Sequence, residues 1–292
     1  MKIAFFGNEF QRETLQGVSA LLADLHASGA ELWGEQAYVD FLRREMDTIP
    51  PMMVFAAGSG VTADVAISIG GDGTFLRTAQ DVAAQGIPII GLNAGHLGYL
   101  TTADISEASS VVKCLLCADY DIEERSMLQL MPPPGYSVAR PFALNEVAVL
   151  RQDTSSTIKV DVSLDDVALT TFNGDGLLLS TPTGSTAYNL SVGGPILHPL
   201  SHCFVLSPIS PHALTMRPVV FADTSVLRVT VRSRARMFQV SVDGETIDLP
   251  SGTTLRIAKA PFPTRVIMLK GHRFARVLRS KLMWGRDNRG EE

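Results

Sequence analysis

A short glycine-rich segment near residue 70 carries an aspartate in a setting typical of phosphate binding. The segment GGDGT (70–74) lies between the apolar run 66–69 and a helical pattern. Glycines let a ligand approach the main chain, and the N–H groups at a helix start suit a phosphate. The charge of Asp72 repels phosphate, so it fits a base that accepts a proton from an attacking hydroxyl. A helix cap in a tight turn explains the same residues equally well.

A second glycine-bearing segment, GLNAGHLG (91–98), follows the next predicted strand. The carboxyl ends of parallel strands lie on one edge of a sheet, where open α/β folds bind ligands. We therefore expect both segments on that edge. Neither of them matches the Walker A sequence or G-x-G-x-x-G.

Further polar groups lie in the second half of the chain. Asn145 and Glu146 offer an amide and a carboxylate at the head of a strand, which suit ribose hydroxyls or the edge of a purine or carboxamide. Asp175 lies between two glycines, so its carboxylate can come close to a ligand. The run STPTGSTAY (180–188) crowds hydroxyls around a proline and a glycine. By itself, that run is also typical of a polar surface loop.

The elements that must position these residues change character along the chain. Strand and helix patterns alternate over residues 1–119, which predicts a parallel α/β sheet. Short strand candidates fill 120–270 and predict a β-sandwich-like domain, while 274–285 predicts a closing helix. We predict a Rossmann-like α/β domain over 1–119 with 271–292, and a C-terminal β-sandwich-like domain over 120–270.

Composition excludes several classes of protein. The chain of 292 residues is 46% apolar and 19% charged, which is typical of a globular protein and not of disorder, collagen or a coiled coil. It has no apolar run of the length of a membrane span, and its first apolar run is too short for a signal peptide. Three cysteines do not make a disulfide framework, and we interpret Cys114 and Cys117 as core thiols. We expect a cytoplasmic protein with no membrane partner.

The net charge of −5 conceals an asymmetry. From Arg217 onward the chain has 15 Lys and Arg against 7 Asp and Glu, whereas the first 216 residues have 10 against 23. The basic part has no long run of like charge, and several of its arginines recur at strand-like spacing. The pattern favours a solvated sheet face or a subunit contact, and we do not expect nucleic acid as a partner.

In this order and spacing, GGDGTFL, GLNAGHLGYL, NEV, NGDG and STPTGSTAYNLSVGGPI resemble the NAD kinase family over most of the chain. GGDG alone also occurs in phosphofructokinases and in lipid kinases, whereas STPTGSTAY with the upstream NE is specific. The resemblance implies that ATP, or polyphosphate in some members, phosphorylates the 2′-hydroxyl of the adenosine ribose of NAD to give NADP. It also implies a homodimer or a homotetramer.

The same resemblance implies roles for individual residues in a cleft between the two domains. Asp72 would be the general base, Gly73 would lie against NAD, and Arg77 would lie near the phosphates. The glycine-rich loop would hold the donor phosphates with a divalent ion, Mg²⁺, which phosphate oxygens and water would mainly ligate. The other implied contacts are Asn145 and Glu146 on ribose or adenine, Asp175 at the nicotinamide half, and Thr186, Ala187, Tyr188, Asn189, Leu190 and Ser191 along the adenine and carboxamide pockets.

Three positions receive no ligand role. Glu245 follows the glycine of SVDGE (241–245), where relatives often have glutamine. His96 stands at a position that varies in the family. Lys159 is the nearest candidate for a basic residue that some relatives carry between the NE and NGDG motifs.

Two other functions stay open on the sequence. A lipid kinase of the diacylglycerol or sphingosine type has a similar GGDG segment, but it favours a membrane-facing surface. A catalytically silent dinucleotide sensor would keep the fold and bind NAD without turnover. The presence of Asp72 favours the enzyme over the sensor.

Overall fold

The computed structural model describes residues 1–8, 12–93, 98–153, 156–271 and 274–283. It divides into two compact units, Met1–Glu123 with Arg265–Glu292, and Glu124–Thr264. Among the helices of these described ranges, none is both long enough and apolar enough to cross a membrane.

The α-helices and β-strands follow one another along the chain with short connections. In chain order they are β1 (Lys2–Gly7), α1 (Leu15–Ala27), β2 (Glu31–Glu35), α2 (Gln36–Glu45), β3 (Met53–Phe55), β4 (Val65–Ile69), α3 (Asp72–Val82), β5 (Ile89–Asn93), β6 (Ala103–Asp104), α4 (Ala108–Leu116), β7 (Tyr120–Arg125), β8 (Leu128–Met131), β9 (Phe142–Ala143), β10 (Glu146–Arg151), β11 (Ile158–Leu164), β12 (Val167–Gly174), β13 (Gly176–Ser180), α5 (Tyr188–Ser191), β14 (Cys203–Ile209), β15 (Val219–Ala222), β16 (Leu227–Ser233), β17 (Met237–Val242), β18 (Glu245–Pro250), β19 (Thr254–Lys259), β20 (Thr264–Leu269) and α6 (Phe274–Lys281).

The first unit is built on an eight-stranded sheet. Its strand order is β3-β2-β1-β4-β5-β20-β7, and β6 pairs with β5. The pairs from β3 through β5 to β20 are parallel. The order β3-β2-β1-β4-β5 places a topological switch point between β1 and β4, and open α/β sheets bind ligands at the carboxyl ends of such strands.

Both faces of this sheet are covered, as a parallel sheet requires. All five residues of β4 and of β5 are buried. Helices α1 and α4 contribute Leu21, Leu25, Val111 and Leu115 to the core of the unit. Their three- and four-residue spacing is the amphipathic pattern from which the helices were predicted.

The second unit is a pair of antiparallel sheets with six strands each. One has the order β15-β14-β13-β10-β17-β18, and the other has the order β12-β11-β16-β19-β8-β9. A single core cluster joins residues of both, including Val149 and Phe238 from the first and Val160 and Val229 from the second. Alternate residues of β17 are buried, as in a sandwich. The predicted fold class, an α/β unit with a β-sandwich-like unit, is confirmed.

Two strands lie in a different sheet from the one that the sequence predicted. The sequence assigned β7 and β20 to the β-rich half, whereas both lie in the sheet of the first unit. Four of the six residues of β20 are buried, three of them in succession, which suits a strand inside a parallel sheet. The boundaries accordingly fall at 123/124 and 264/265 instead of 119/120 and 270/271.

The prediction that Cys114 and Cys117 are core thiols was wrong, because Cys114 is half-buried and Cys117 is exposed at the end of α4. The arginines of β16 fit the predicted solvated sheet face. Arg232 pairs with Asp161 on the neighbouring strand at 3.2 Å, and both residues lie on the outer face of their sheet.

Candidate active site

Asp72 is the first residue of α3, which begins directly after β4 and two glycines. Gly70 has a φ of +152°, and a Cβ there would lie 2.5 Å from Thr74 Oγ1, so this turn requires glycine. A Cβ at Gly71 or Gly73 would meet no atom within 4 Å. The backbone at these two positions is therefore open to a ligand at the N-terminal end of the helix.

The carboxylate of Asp72 holds the loop that follows β5. Its Oδ2 accepts the N–H of Tyr99 at 2.9 Å, and its Oδ1 accepts the N–H of Leu100 at 3.0 Å. A Cβ at Gly98 would lie 1.9 Å from Asp72 Oδ1, so only glycine leaves room for this carboxylate. A carboxylate oxygen accepts more than one hydrogen bond, so each oxygen can also receive a donor from a ligand.

Two cations lie near this end of the sheet. Arg77 Nη2 donates to the carbonyl of Gly7, the last residue of β1, at 2.9 Å. The Arg77 Nε is buried and has no hydrogen-bond partner among the described residues. Burial lowers the pKa of Lys281 on α6, while the charge of Asp72 acts in the opposite direction. Basic groups therefore lie near Asp72 in the first unit, a combination that suits phosphoryl transfer.

The predicted NE pair lies on a loop whose backbone is fully hydrogen-bonded. The three consecutive N–H groups of residues 144–146 all donate to the carboxylate of Asp243, at 2.7, 3.0 and 2.9 Å. Thr181 binds the other side, since its hydroxyl donates to the carbonyl of Leu144 and its N–H donates to that of Asn145 at 2.9 Å. The N–H of Asp243 donates to the carbonyl of Glu146 at 3.1 Å.

The side chains of this loop, in contrast, have unused polar atoms. Asn145 is 8% exposed, yet its Oδ1 has no hydrogen-bond partner among the described residues. Glu146 Oε2 and Thr183 Oγ1 are also buried and have no hydrogen-bond partner among the described residues. Because buried polar atoms are rarely left unpaired, these three oxygens indicate a polar ligand.

Two acids interact at this loop. Burial raises the pKa of Glu146 from 4.5 to about 8, and the charge of Asp243 adds to that effect. Burial also raises the pKa of Asp243 to about 6, against the three N–H groups that lower it. At neutral pH the ionised acid of the pair is Asp243, because it has the hydrogen-bond donors.

The segment 186–191 forms the end of a 3₁₀ turn (Thr183–Thr186) and α5. Tyr188 is 37% exposed. Asn189 is fully buried, and its amide donates to the carbonyl of Pro195 at 3.1 Å and accepts from Ser207 at 2.7 Å. The Asn189 side chain thus holds this segment against β14, while Tyr188 keeps an accessible ring. The other predicted residues here are Thr186, Ala187, Leu190 and Ser191.

Asp175 lies away from the NE loop. It precedes β13 and pairs with Arg151 at the end of β10, at 3.0 Å. Strand β10 pairs with β13 from Glu146 opposite Ser180 to Leu150 opposite Gly176. Four residue steps of a strand span about 13 Å. Asp175 and Glu146 therefore occupy opposite ends of one strand pair.

The three positions without a predicted role have different surroundings. Glu245 pairs with Arg140 at 3.0 Å, which neutralises its charge. Lys159 lines a cavity of about 590 Å³ in the second unit together with Asn173, His212 and Arg234. His96 lies outside the described residues.

Sequence reasoning missed residues that act on the backbone of the site. In the sequence, Asp243 is only one residue of SVDGE (241–245), and Gly98 is only one glycine of its segment. Thr181 and Thr183 were noted as hydroxyls in a polar run. Their contacts span up to 99 residues along the chain, which local spacing does not reveal.

Comparisons with known proteins identify the family of the chain. The model of the ATP-NAD kinase N-terminal domain matches residues 47–120, and that of the ATP-NAD kinase C-terminal domain matches 144–269. The chain is 42% identical over 284 residues to an NAD kinase of Porphyromonas gingivalis, which covers 97% of this chain and 98% of the relative. It is 38% identical over 289 residues to an NAD kinase of Bacteroides fragilis, with 99% and 100% coverage.

Solved structures share the fold. A yeast NADH kinase complexed with NADH matches with a TM-score of 0.89 at 22% identity, covering 100% of this chain and 90% of that one. An NAD kinase from Archaeoglobus fulgidus in complex with ATP matches with a TM-score of 0.74 at 25% identity, covering 97% and 99%. The matching domain models, the full-length relatives and the paired loops at the switch point lead to one conclusion: the chain belongs to the NAD kinase family.

Proposed function

We propose that this NAD kinase uses Asp72 to activate the 2′-hydroxyl of the adenosine ribose of NAD for attack on the γ-phosphate of ATP. The observation that carries the proposal is the position of Asp72. Its carboxylate stands at the first turn of α3, held by two N–H groups, beside open backbone at Gly71 and Gly73. An acceptor base and a phosphate-binding helix end thus lie within two residues of each other.

In the proposed step, the 2′-oxygen forms a bond to the γ-phosphorus while the bond from phosphorus to the oxygen of ADP breaks. The proton of the 2′-hydroxyl passes to Asp72. The N–H groups at the start of α3 bind phosphate oxygens, and Arg77 adds positive charge, its Nε having no partner within the described part of the chain. Such catalysis rests on positioning and on neutralisation of charge.

Mg²⁺ would neutralise charge on the phosphates of ATP when it is bound. The described residues contain no group of three or more His, Cys, Asp or Glu that could hold a metal ion. We therefore assign the ion mainly to phosphate oxygens and water, a donor set that suits Mg²⁺. Asp72 is the acidic side chain at the phosphate-binding end of α3.

The second unit would hold NAD. We assign the hydroxyl or adenine contacts to Asn145 and Glu146, because the Oδ1 and Oε2 atoms of these residues have no hydrogen-bond partner among the described residues. Tyr188 would stack on a ring, and Asp175 would contact the nicotinamide half. Thr186, Ala187, Leu190 and Ser191 would line the pocket, with Asn189 contributing through the segment that its amide holds.

The assembly and the location are also proposals. We propose a homodimer or homotetramer, in agreement with the exposed apolar residues Val167 and Leu169 on the edge strand β12 and Val219 and Val220 on the edge strand β15. We propose the cytoplasm as the location, which suits a chain whose three cysteines are free thiols.

The first test is NADP formation by the purified chain with NAD, ATP and Mg²⁺, read out with an NADP-specific dehydrogenase. We expect turnover. A folded protein that binds NAD without making NADP would instead be the dinucleotide sensor. Phosphorylation of diacylglycerol or sphingosine in mixed micelles, in place of NAD, would indicate the lipid kinase.

Replacing Asp72→Asn is expected to lower kcat by about 100-fold or more, because a general base typically contributes 10²–10⁴-fold. The affinity for NAD, measured by calorimetry, should stay within about threefold of wild type. The control Asp24→Asn removes an exposed carboxylate that accepts from Ser109 at 2.8 Å in the same unit and should leave kcat unchanged. Wild-type kcat in Asp72→Asn would remove Asp72 from the base role.

Replacing Gly98→Ala is expected to lower kcat at least tenfold, because its Cβ displaces the Asp72 carboxylate. Gly58→Ala is the control, since Gly58 has a φ of +69° and no atom within 4 Å of its Cβ position. That control should lose some stability and keep its kcat. Equal kcat in the two variants would contradict the placement of Asp72 by the loop.

The affinity for NAD should depend on pH through the ionisation of Glu146. An ionised Glu146 accepts ribose hydroxyls, so the NAD affinity should rise with pH up to the pKa of about 8 and level off above it. Glu146→Gln should weaken binding and remove most of this dependence. A pH profile of the same shape in both proteins would exclude Glu146 from the contact.

The contribution of Glu146 to protein stability should decrease as the pH rises. A raised pKa in the folded state stabilises the fold below about 4.5, and this contribution is lost as the pH rises through about 8. The urea midpoint of wild type should therefore fall between pH 5 and 8 by more than that of Glu146→Gln. A steeper fall in the variant would contradict the burial of a protonated Glu146.

A further inference from the structure

Asp243 makes contacts in the fold that its place in the turn segment SVDGE (241–245) does not explain. It lies in the turn between β17 and β18, with a φ of +47°, a conformation that Asp and Asn tolerate better than most residues. Its carboxylate accepts the N–H groups of all three residues 144–146, which come about a hundred positions earlier. A turn needs no such long-range contact to form.

These bonds complete the hydrogen bonding of the loop. Asp243 binds three N–H groups and the carbonyl of Glu146, and Thr181 binds the carbonyls of Leu144 and Asn145. All six backbone polar groups of the loop are thus paired within the protein. The loop backbone is fixed before a ligand arrives, and only the side chains of Asn145 and Glu146 retain unpaired oxygens.

We propose that Asp243 is the positioning residue of the NAD site, fixing by its three hydrogen bonds the backbone from which Asn145 and Glu146 reach the dinucleotide. The proposal rests on the function assigned above to those two residues. Asp243 acts through them and touches no ligand itself. Preorganisation of this kind lowers the ordering cost of binding, so its loss appears mainly in the affinity for NAD.

The charge of Asp243 has a second effect on the same site. Burial is the larger cause of the raised pKa of Glu146, and the charge of Asp243 raises that pKa further by favouring the protonated form. The other charged groups on the described strands around Glu146 have partners, and Asp248 on β18 accepts a hydrogen bond from Gln152. Glu245 on β18 pairs with Arg140, Arg151 of β10 pairs with Asp175, and β13 places the neutral Ser180 opposite Glu146. Asp243 is therefore the charge that acts on Glu146.

Asp243→Asn is the sharpest test, because asparagine keeps the size of the side chain and tolerates a positive φ. Its carbonyl can still accept from Asn145 and Glu146, but its NH₂ group faces the N–H of Leu144, so one of three bonds is lost. Asp165→Asn is the matched control. Asp165 also has a positive φ in a turn and accepts a backbone N–H, that of Val226, at 2.8 Å.

We expect Asp243→Asn to raise the KM for NAD about tenfold, with kcat and the KM for ATP within about threefold of wild type. The rise of NAD affinity with pH should also move to lower pH, because the charge that raises the pKa of Glu146 is gone. Asp165→Asn should change none of these. A KM for NAD within twofold of wild type, or an unmoved pH profile, would overturn the proposal.

Two further measurements distinguish a failure of the positioning role from a failure of the assigned NAD contact or of folding. If Glu146→Gln binds NAD as wild type does, the assigned contact has failed and not the positioning role. If Asp243→Asn does not fold, amide hydrogen exchange of residues 144–146 in wild type decides. Slow exchange without NAD is expected, whereas exchange that becomes slow only with NAD would overturn a preorganised loop.

Discussion

The hydrogen bonds from the Asp72 carboxylate to the N–H groups of Tyr99 and Leu100 are the interaction on which the site of the first unit depends. They join the start of α3 to the loop after β5, the two connections that leave neighbouring strands at the ligand-binding edge of the sheet. Glycines at 70 and 98 are required because any larger residue would occupy the space of Thr74 or Asp72. Backbone N–H groups thus position the carboxylate that we propose as the base.

In the second unit, another carboxylate fixes a loop by accepting hydrogen bonds from its backbone. Asp243 binds three N–H groups where Asp72 binds two, and the neighbouring Asn145 and Glu146 each keep a buried oxygen without a partner among the described residues. Burying Glu146 beside Asp243 keeps one of the two acids protonated at neutral pH. The unit thereby avoids two adjacent buried charges.

The sequence predicted a large part of this fold for physical reasons. The periodicity of α1 and α4, the apolar runs of β4 and β5 and the alternation of β17 are local signals, and the structure confirms the fold class that they indicate. The placement of β7 and β20 was wrong because strand pairing depends on distant partners. The short apolar run of β20 is compatible with either kind of sheet.

The sequence indicated candidate site residues, but it did not reveal the residues that hold them in place. Asp72, Asn145 and Glu146 stand in the motifs that predicted the family, and the domain models and the relatives confirm that family. The residues that hold them, Gly98 and Asp243, act through contacts that skip 26 to 99 positions. No local pattern encodes such a distance, so these residues emerge only from the folded chain.

The most direct test of the account is a crystal structure of the chain with NAD and a non-hydrolysable ATP analogue. We predict the 2′-oxygen of the adenosine ribose within about 2.6–3.2 Å of an Asp72 carboxylate oxygen, with the bonds from Tyr99 and Leu100 retained. An adenosine ribose that presents a different hydroxyl to Asp72, or an Asp72 that faces away from the ribose, would contradict the account.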